Sequence, residues 1–451
     1  MAKPRSDTIH IGAQSIIAIG FAALILLSAF LLMLPVSSAG RTWTPPLTAL
    51  FTAVSAVCVT GLVLVDTATY WSFFGQSVIL LSIQIGALGV MTALSLAALF
   101  LGRRIGLRQR TLLIESLSVL HVGGIVRLLR FTYLASLLTE LTGALLLSFR
   151  FVPLLGLRQG LWLSLFHAVS AFCNAGFDLT GSLGGAFSSL EAFAYDPLIL
   201  LTLSALAFSG GLGFFVWHDL FCARLRLQHT RLHTRVVLML TVPLLLIPAA
   251  LFFFFERGAS MSHMDVPTRL LISLFCSIAP RTAGFNAVPI SSLSSGSFLL
   301  TLFLMFIGGN PGSTAGGAKA TNVLILVLLA SAAFTRREDI CLFGRRLADD
   351  LLRRACALIA FYLAAVCLSA LALCAFHPVL AAADVVFEVF SALSTVGLTA
   401  GITRCLGAPS LIILMLLMYA GRLGSLTLVI LSPRRTAPSS VRLPADTLLI
   451  G

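Results

Sequence analysis

Phe51-Thr-Ala-Val-Ser-Ala-Val-Cys-Val-Thr-Gly61 is the first of four related stretches. The others are Phe166-His-Ala-Val-Ser-Ala-Phe-Cys-Asn-Ala-Gly176, Leu274-Phe-Cys-Ser-Ile-Ala-Pro-Arg-Thr-Ala-Gly284 and Phe387-Glu-Val-Phe-Ser-Ala-Leu-Ser-Thr-Val-Gly397. Their terminal glycines lie 115, 108 and 113 residues apart. A repeat of that period fills the chain, and predicts one object with fourfold pseudo-symmetry. Four loops meeting on one axis can surround one ion.

Composition supplies the setting. Of 451 residues, 58% are hydrophobic and 10% charged. Soluble domains carry about 25% charged residues. Long apolar runs at Ser15–Val36, Phe131–Phe149, Val236–Phe255 and Leu411–Leu431 read as membrane spans. The net charge of +13 is not spread evenly. Basic residues gather at Lys3/Arg5, Arg103/Arg104/Arg108/Arg110, Arg127/Arg130, Arg224/Arg226/Arg231/Arg235, Arg336/Arg337, Arg345/Arg346/Arg353/Arg354 and Arg434/Arg435/Arg442. The glycine-bearing connections carry few. This alternation places both termini and the inter-repeat loops in the cytoplasm. No basic run is interleaved with aromatics, so nucleic acid is excluded as a partner. The basic connections fit the membrane lipid surface or a soluble docking partner. The nine cysteines show no metal-ligand spacing. Neither a P-loop nor a Ser/His/Asp set is present, which argues against an enzyme.

The expected fold is an all-α polytopic membrane protein. Eight transmembrane helices form four helix–pore-loop–helix repeats around a pseudo-fourfold central pore. Residues 1–105, 106–225, 226–340 and 341–451 make the repeats. Their helices are expected at 13–36, 46–57 and 71–101; 128–152, 160–172 and 195–221; 234–256, 266–279 and 297–334; and 353–376, 383–393 and 408–432. The middle helices are too short for a bilayer, which takes ~20 residues, and must re-enter on the same side. Non-helical backbone survives at that depth where it is buried in protein or lines a wet cavity.

A dehydrated cation needs oxygen ligands in place of water, and backbone carbonyls supply them without net charge. Glycine reaches the positive φ angles that aim such carbonyls. The candidate filter is therefore Cys58, Val59, Thr60 and Gly61; Cys173, Asn174, Ala175 and Gly176; Arg281, Thr282, Ala283 and Gly284; and Ser394, Thr395, Val396 and Gly397. Short helices pointing their C-termini inward would add partial negative charge.

The second long helix of repeat three cannot be continuous. Five of the ten residues from Gly308 to Gly317 are glycine, and Pro311 lacks an amide donor. Two half-helices joined by an intramembrane loop are expected, comprising Gly308, Gly309, Asn310, Pro311, Gly312, Ser313, Thr314, Gly316, Gly317 and Lys319. A static kink is the alternative, against which the polar content weighs. Only this repeat reads as clearly broken. Arg422, mid-way in an apolar run, is costly in a membrane and needs an interior partner. It is expected either as a charge barrier in the pore or as a structural pair with a buried acid or loop carbonyls. Glu140 reads as structural. Asp66 and Asp178, just past the first two filter loops, read as solvated loop acids more than as cation-drawing groups.

The chain resembles the Trk/Ktr/HKT superfamily of potassium transporters over essentially its whole length, most closely the Ktr-type membrane subunit. The resemblance rests on the four loops, on Ser82-Ile-Gln-Ile-Gly-Ala-Leu-Gly-Val-Met-Thr92, on Phe172-Cys-Asn-Ala-Gly-Phe-Asp178, and above all on Gly308-Gly-Asn-Pro-Gly-Ser-Thr-Ala-Gly-Gly-Ala-Lys319. It implies a K+ filter with one glycine per repeat, mapped to Gly61, Gly176, Gly284 and Gly397, and a gating loop beneath it. Serine at the first of these positions accompanies sodium permeation in some members, so Gly61 favours potassium. Arg281, Leu62 and Leu398 depart from the pattern. The resemblance further implies a homodimer in the bacterial inner membrane and a cytoplasmic nucleotide-binding ring responding to ATP and ADP. The expected cargo is K+, with Na+ as second ion and no covalent cofactor. The function expected is the ion-translocating subunit of a potassium uptake system. A secondary symporter coupling K+ to H+ or Na+, or a less selective monovalent cation transporter, is the alternative.

Overall fold

In the computed structural model, residues 13–89, 92, 95, 125–224, 226–336 and 339–424 are described. Both termini, the arginines at 103–110 and at 434–442, and the distal parts of the expected helices 71–101 and 408–432 lie outside them. Leaving single-turn helices unnumbered, repeat one contains α1 (Ala13–Met33), α2 (Pro46–Val57) and α3 (Phe73–Leu88). Repeat two contains α4 (Ile125–Leu155), α5 (Leu157–Phe172), α6 (Pro197–Leu212) and α7 (Phe214–Cys222). Repeat three contains α8 (Leu232–Phe255), α9 (Val266–Ile278), α10 (Ser295–Ile307) and α11 (Ala320–Phe334). A two-strand hairpin, β1 (Cys341–Leu342) and β2 (Arg345–Arg346), precedes α12 (Asp349–Phe376), α13 (Ala382–Leu393) and α14 (Ala408–Leu423).

Length sorts these helices by role. The first helix of each repeat has 21, 31, 24 and 28 residues. At ~1.5 Å per residue each reaches ~30 Å, the thickness of a hydrocarbon core. Their outer faces expose large apolar side chains, such as Leu26 at 65% and Leu371 at 70%, as lipid-facing helices do. The middle helices α2, α9 and α13 have 12 or 13 residues and are buried toward their C-terminal ends. Phe51, Phe166 and Phe387, which open three of the four motifs, are all fully buried.

Packing closes the repeats into a ring. Each first helix lies on its own middle helix: α1 on α2, α4 on α5, α8 on α9, α12 on α13. Each second helix then packs on the middle helix of the next repeat: α3 on α5, α6 on α9, α10 on α13, and finally α14 back on α2. The second helices begin at side-chain caps from Ser72, Asp196 and Ser294 in repeats one to three.

The expectation of a single broken helix is overturned. α6 and α7 meet at an 87° bend on Gly213, so repeat two is broken too. Moreover α3, α6, α10 and α14 all end on a glycine with positive φ: Gly89 (+88°), Gly213 (+101°), Gly308 (+65°) and Gly424 (+54°). The physical reason lies three residues earlier in repeats one, two and four. A Cβ on Gly86, Gly210 or Gly421 would lie 2.0, 1.9 or 1.8 Å from the carbonyl oxygen of Val57, Phe172 or Leu393. The second helices of repeats one, two and four thus pass the end of a middle helix at backbone contact, and in repeat two the chain then turns by 87°.

Candidate ion filter and gating loop

Beyond each middle helix the backbone alternates between right- and left-handed conformations. Val59, Asn174, Thr282 and Thr395 have φ of +59°, +57°, +76° and +50°, and Gly61, Gly176, Gly284 and Gly397 have +98°, +69°, +75° and +92°. Left-handed geometry is uncommon for β-branched residues. Its repetition at Val59, Thr282 and Thr395 costs of order 1–3 kcal/mol each, the kind of strain that gathers at functional sites.

The amides explain the turn. Thr60, Ala175 and Val396 each donate to the carbonyl of a motif serine, Ser55, Ser170 and Ser391, at 2.8 Å. Gly61 and Gly397 donate to Ser55 Oγ and Ser391 Oγ at 3.0 and 3.1 Å. In a trans peptide, N–H and C=O point in opposite directions. With the N–H groups turned back to the middle helix, the carbonyls of Val59, Thr60, Asn174, Thr395 and Val396 face away from it. None of the filter carbonyls accepts a hydrogen bond among the described residues.

Repeat three differs in detail. Ser277 lies seven residues before Gly284, where Ser55 lies six before Gly61. A π-type turn over Ala279–Ala283 takes up the extra residue, with Gly284 N bonded to Ala279 O. Arg281 is buried there, and its Nε has no partner among the described residues.

The four segments form a closed ring in chain order. A Cβ on Gly61 would lie 2.4 Å from Ala175 O; on Gly176, 2.7 Å from Gly284 Cα; on Gly284, 2.5 Å from Val396 O; and on Gly397, 2.1 Å from Thr60 O. Glycine here answers to both φ and space.

The loop joining α10 to α11 lies against this ring. A Cβ on Gly316 would stand 1.9 Å from Thr395 Oγ1. Thr314 Oγ1 lies 3.2 Å from Phe172 O and 2.9 Å from the Asn174 amide. Asn310 Nδ2 donates to Gly211 O and Thr241 Oγ1, and Phe214 N donates to Gly312 O at 2.9 Å. The two broken helices therefore interlock at one joint. Lys319 Nζ turns back onto the carbonyls of Ala315 and Gly316. Tyr362 Oη donates to Gly317 O and Gly421 O. Arg422 spans the assembly: Nη1 donates to Thr314 O at 2.5 Å, and Nη2 to Gly86 O and Ala87 O at 2.6 and 2.9 Å. Of its two expected kinds of structural partner, carbonyls are the ones found.

The acids sort differently from expectation. Asp66 is buried, not solvated: it caps Thr69 N at 3.0 Å and accepts from Phe187 N at 3.1 Å, tying the first outer loop to the second. Glu140 accepts from Gln84 Nε2 at 2.9 and 3.2 Å, directly behind Cys173. Two residues escaped the sequence reading. Glu388 and His167 stand nine residues before their filter glycines. Glu388 accepts from the hydroxyls of Thr399 and Thr403, and His167 Nε2 accepts from Leu179 N. Both hold the segment just beyond the glycine. Their shared offset was the available signal.

Burial first, and the nearby negative charge of Asp66, push the Asp178 carboxyl up to about 6, against hydrogen bonds from Thr180. An acid raised this way is charged above its folded pKa and neutral below it. Its charge therefore costs stability at neutral pH, and the cost fades as pH falls. K+ uptake at limiting K+ is expected to fall between pH 7 and pH 5, and Asp178→Asn to flatten that response. Initial rates across this range check it; an unaltered profile in the variant removes Asp178 from the mouth.

Residues 7–440 match the TrkH family, described as cation transport proteins. The chain belongs to that family. It is 39% identical over 443 residues to Ktr system potassium uptake protein B of Bacillus subtilis, covering 97% of this chain and 96% of that one. It is 37% identical to potassium/sodium uptake protein NtpJ of Enterococcus hirae, covering 97% and 96%. The crystal structure of the potassium transporter TrkH from Vibrio parahaemolyticus superposes with a TM-score of 0.72 at 18% identity, covering 95% of this chain and 87% of that one. The fold is thus that of the TrkH family, whose members transport cations.

Proposed function

We propose that this chain is the ion-translocating membrane subunit of a potassium uptake system. K+ passes the ring formed by residues 58–61, 173–176, 281–284 and 394–397, and the loop 308–319 gates it from beneath. The observation that carries the reading is the closed ring of glycines with carbonyls turned away from the middle helices. The names of the relatives supply the ion: K+ in one and K+ with Na+ in the other. The chain sits in the bacterial inner membrane with both termini cytoplasmic, and acts as a homodimer.

A symporter reading gains from the second broken helix, since coupled transporters pair broken helices across two halves. Here the second helices reach a positive-φ glycine at corresponding places in all four repeats, in keeping with fourfold symmetry, and the ring is uninterrupted. A gated pathway fits better. Flux of K+ and Rb+ into liposomes, with and without a proton gradient, separates the two; flux that vanishes without the proton gradient overturns the gated pathway.

The gate needs a source of differential binding energy. One relative is named as part of a system, and we assign the source to a cytoplasmic nucleotide-binding ring. Co-purified with such a ring, the protein is expected to pass K+ faster with ATP than with ADP. Full nucleotide-independent regulation of the membrane subunit alone would remove the partner.

A further inference from the structure

At the arginine-bearing end of the helices, a cavity of about 680 Å³ opens between the start of α8, one face of α11 and the β1–β2 hairpin. Arg231, Arg235 and Arg345 line it with His229 and His233, and among the described residues no Asp or Glu does. Arg235 Nε is buried and has no hydrogen-bond partner among the described residues. Arg345 forms no ion pair among them, whereas its neighbour Arg346 pairs with Asp339 and Asp349. Asp219, 4.0 Å from Arg231, already accepts from the Arg231 amide and the Thr234 hydroxyl. The first turn of α8 holds no acid and has no side-chain cap. The start of a 24-residue helix thus adds its own attraction for an anion.

The remaining wall is apolar, formed by Leu324, Ile325 and Leu328 of α11 with Val236 of α8. Elsewhere on α11, Val327 and Phe334 are 59% and 89% exposed. A free phosphate has no use for such a wall. The cavity also lies at the edge of the span Leu232–Gly258, where a bilayer meets water.

We propose that this cavity binds the phosphate headgroup of an anionic phospholipid of the cytoplasmic leaflet, with an acyl chain laid along α11. Arg235 and Arg345 hold the phosphate, and the start of α8 supports it. The assignment of leaflet rests on the proposed orientation; the chemistry of the site does not. Basic pockets between membrane helices suit such headgroups. The occupant also bears on gating, because α11 begins at Ala320, immediately after the loop under the ring.

The test uses the full chain in phosphatidylcholine nanodiscs doped with phosphatidylglycerol, with retained lipid read by native mass spectrometry. Lipid retention needs no ion flux, so its failure is separate from failure of the proposed function. Losing two arginine contacts is expected to weaken phosphatidylglycerol retention by about 30-fold in Arg235→Gln/Arg345→Gln. Leu324→Trp keeps every charge but fills the apolar wall, and is expected to lower retention as well. Equal retention in wild type and both variants overturns the proposal. So does phosphatidylcholine competing on equal terms, which would mark a bare apolar groove. Displacement of the lipid by inorganic phosphate would mark a free-anion site instead, and occupancy by a soluble protein with no lipid retained would mark a docking surface; either overturns it.

Discussion

Gly61→Ser is expected to lower the preference for K+ over Na+ on the order of tenfold, equivalent to about 1.4 kcal/mol. Two physical effects combine. The residue sits at φ +98°, a region L side chains avoid. Its new Cβ would also lie 2.4 Å from Ala175 O and 3.2 Å from Gly176 Cα. Backbone is the obstacle, so no rotamer change relieves it. The ring must open between repeats one and two, and a wider carbonyl cage fits a dehydrated K+ less closely. Competition of Na+ against Rb+ uptake, in a strain lacking its own K+ uptake, measures the effect. A variant that inserts normally and keeps both selectivity and flux would show that Gly61 does not belong to the filter. Gly397→Ser offers the counterpart across the closing seam, where the Cβ would lie 2.1 Å from Thr60 O.

The ring was legible in the sequence because its demands are local and repeated. A positive φ calls for glycine whatever the surroundings, and four such demands at similar spacing cannot be read as accidental turns. The serine six residues ahead repeats for an equally local reason, since it accepts the amides of its own loop. The glycines that end the second helices were less legible. One glycine in an apolar run costs a helix only ~1 kcal/mol, so Gly89, Gly213 and Gly424 looked tolerable, whereas Gly308–Gly317 did not. What makes Gly86, Gly210 and Gly421 obligatory is a carbonyl from another segment, and single-chain periodicity carries no trace of it. Asp66 was misread for the same reason: its second partner, the Phe187 amide, lies 121 residues away.

The larger effect on rate is expected from Arg422→Ala, which should raise K+ flux and weaken its regulation. The guanidinium joins three parts: its own helix α14, the loop through Thr314 O, and the end of α3 through Gly86 O and Ala87 O. Hydrogen bonds to charged groups contribute ~1.5–3 kcal/mol each. If only ~2 kcal/mol of this belongs to the closed loop alone, its loss raises the open-to-closed ratio about 30-fold. A pure charge barrier predicts the same sign, so alanine alone does not choose between pin and barrier. Arg422→Lys does. Lysine keeps the charge but is a point donor without the planar fork, and cannot hold loop and α3 together. A barrier leaves flux low in this variant; a pin lets it rise part-way. Deleting part of Gly308–Gly317 closes the argument, since it is expected to raise flux by removing the obstruction itself. In that background a pin has nothing left to hold, so adding Arg422→Ala should change flux little, and the coupling between the two changes should be large. Independent, multiplying effects would instead assign Arg422 to the ion path and leave the loop unpinned.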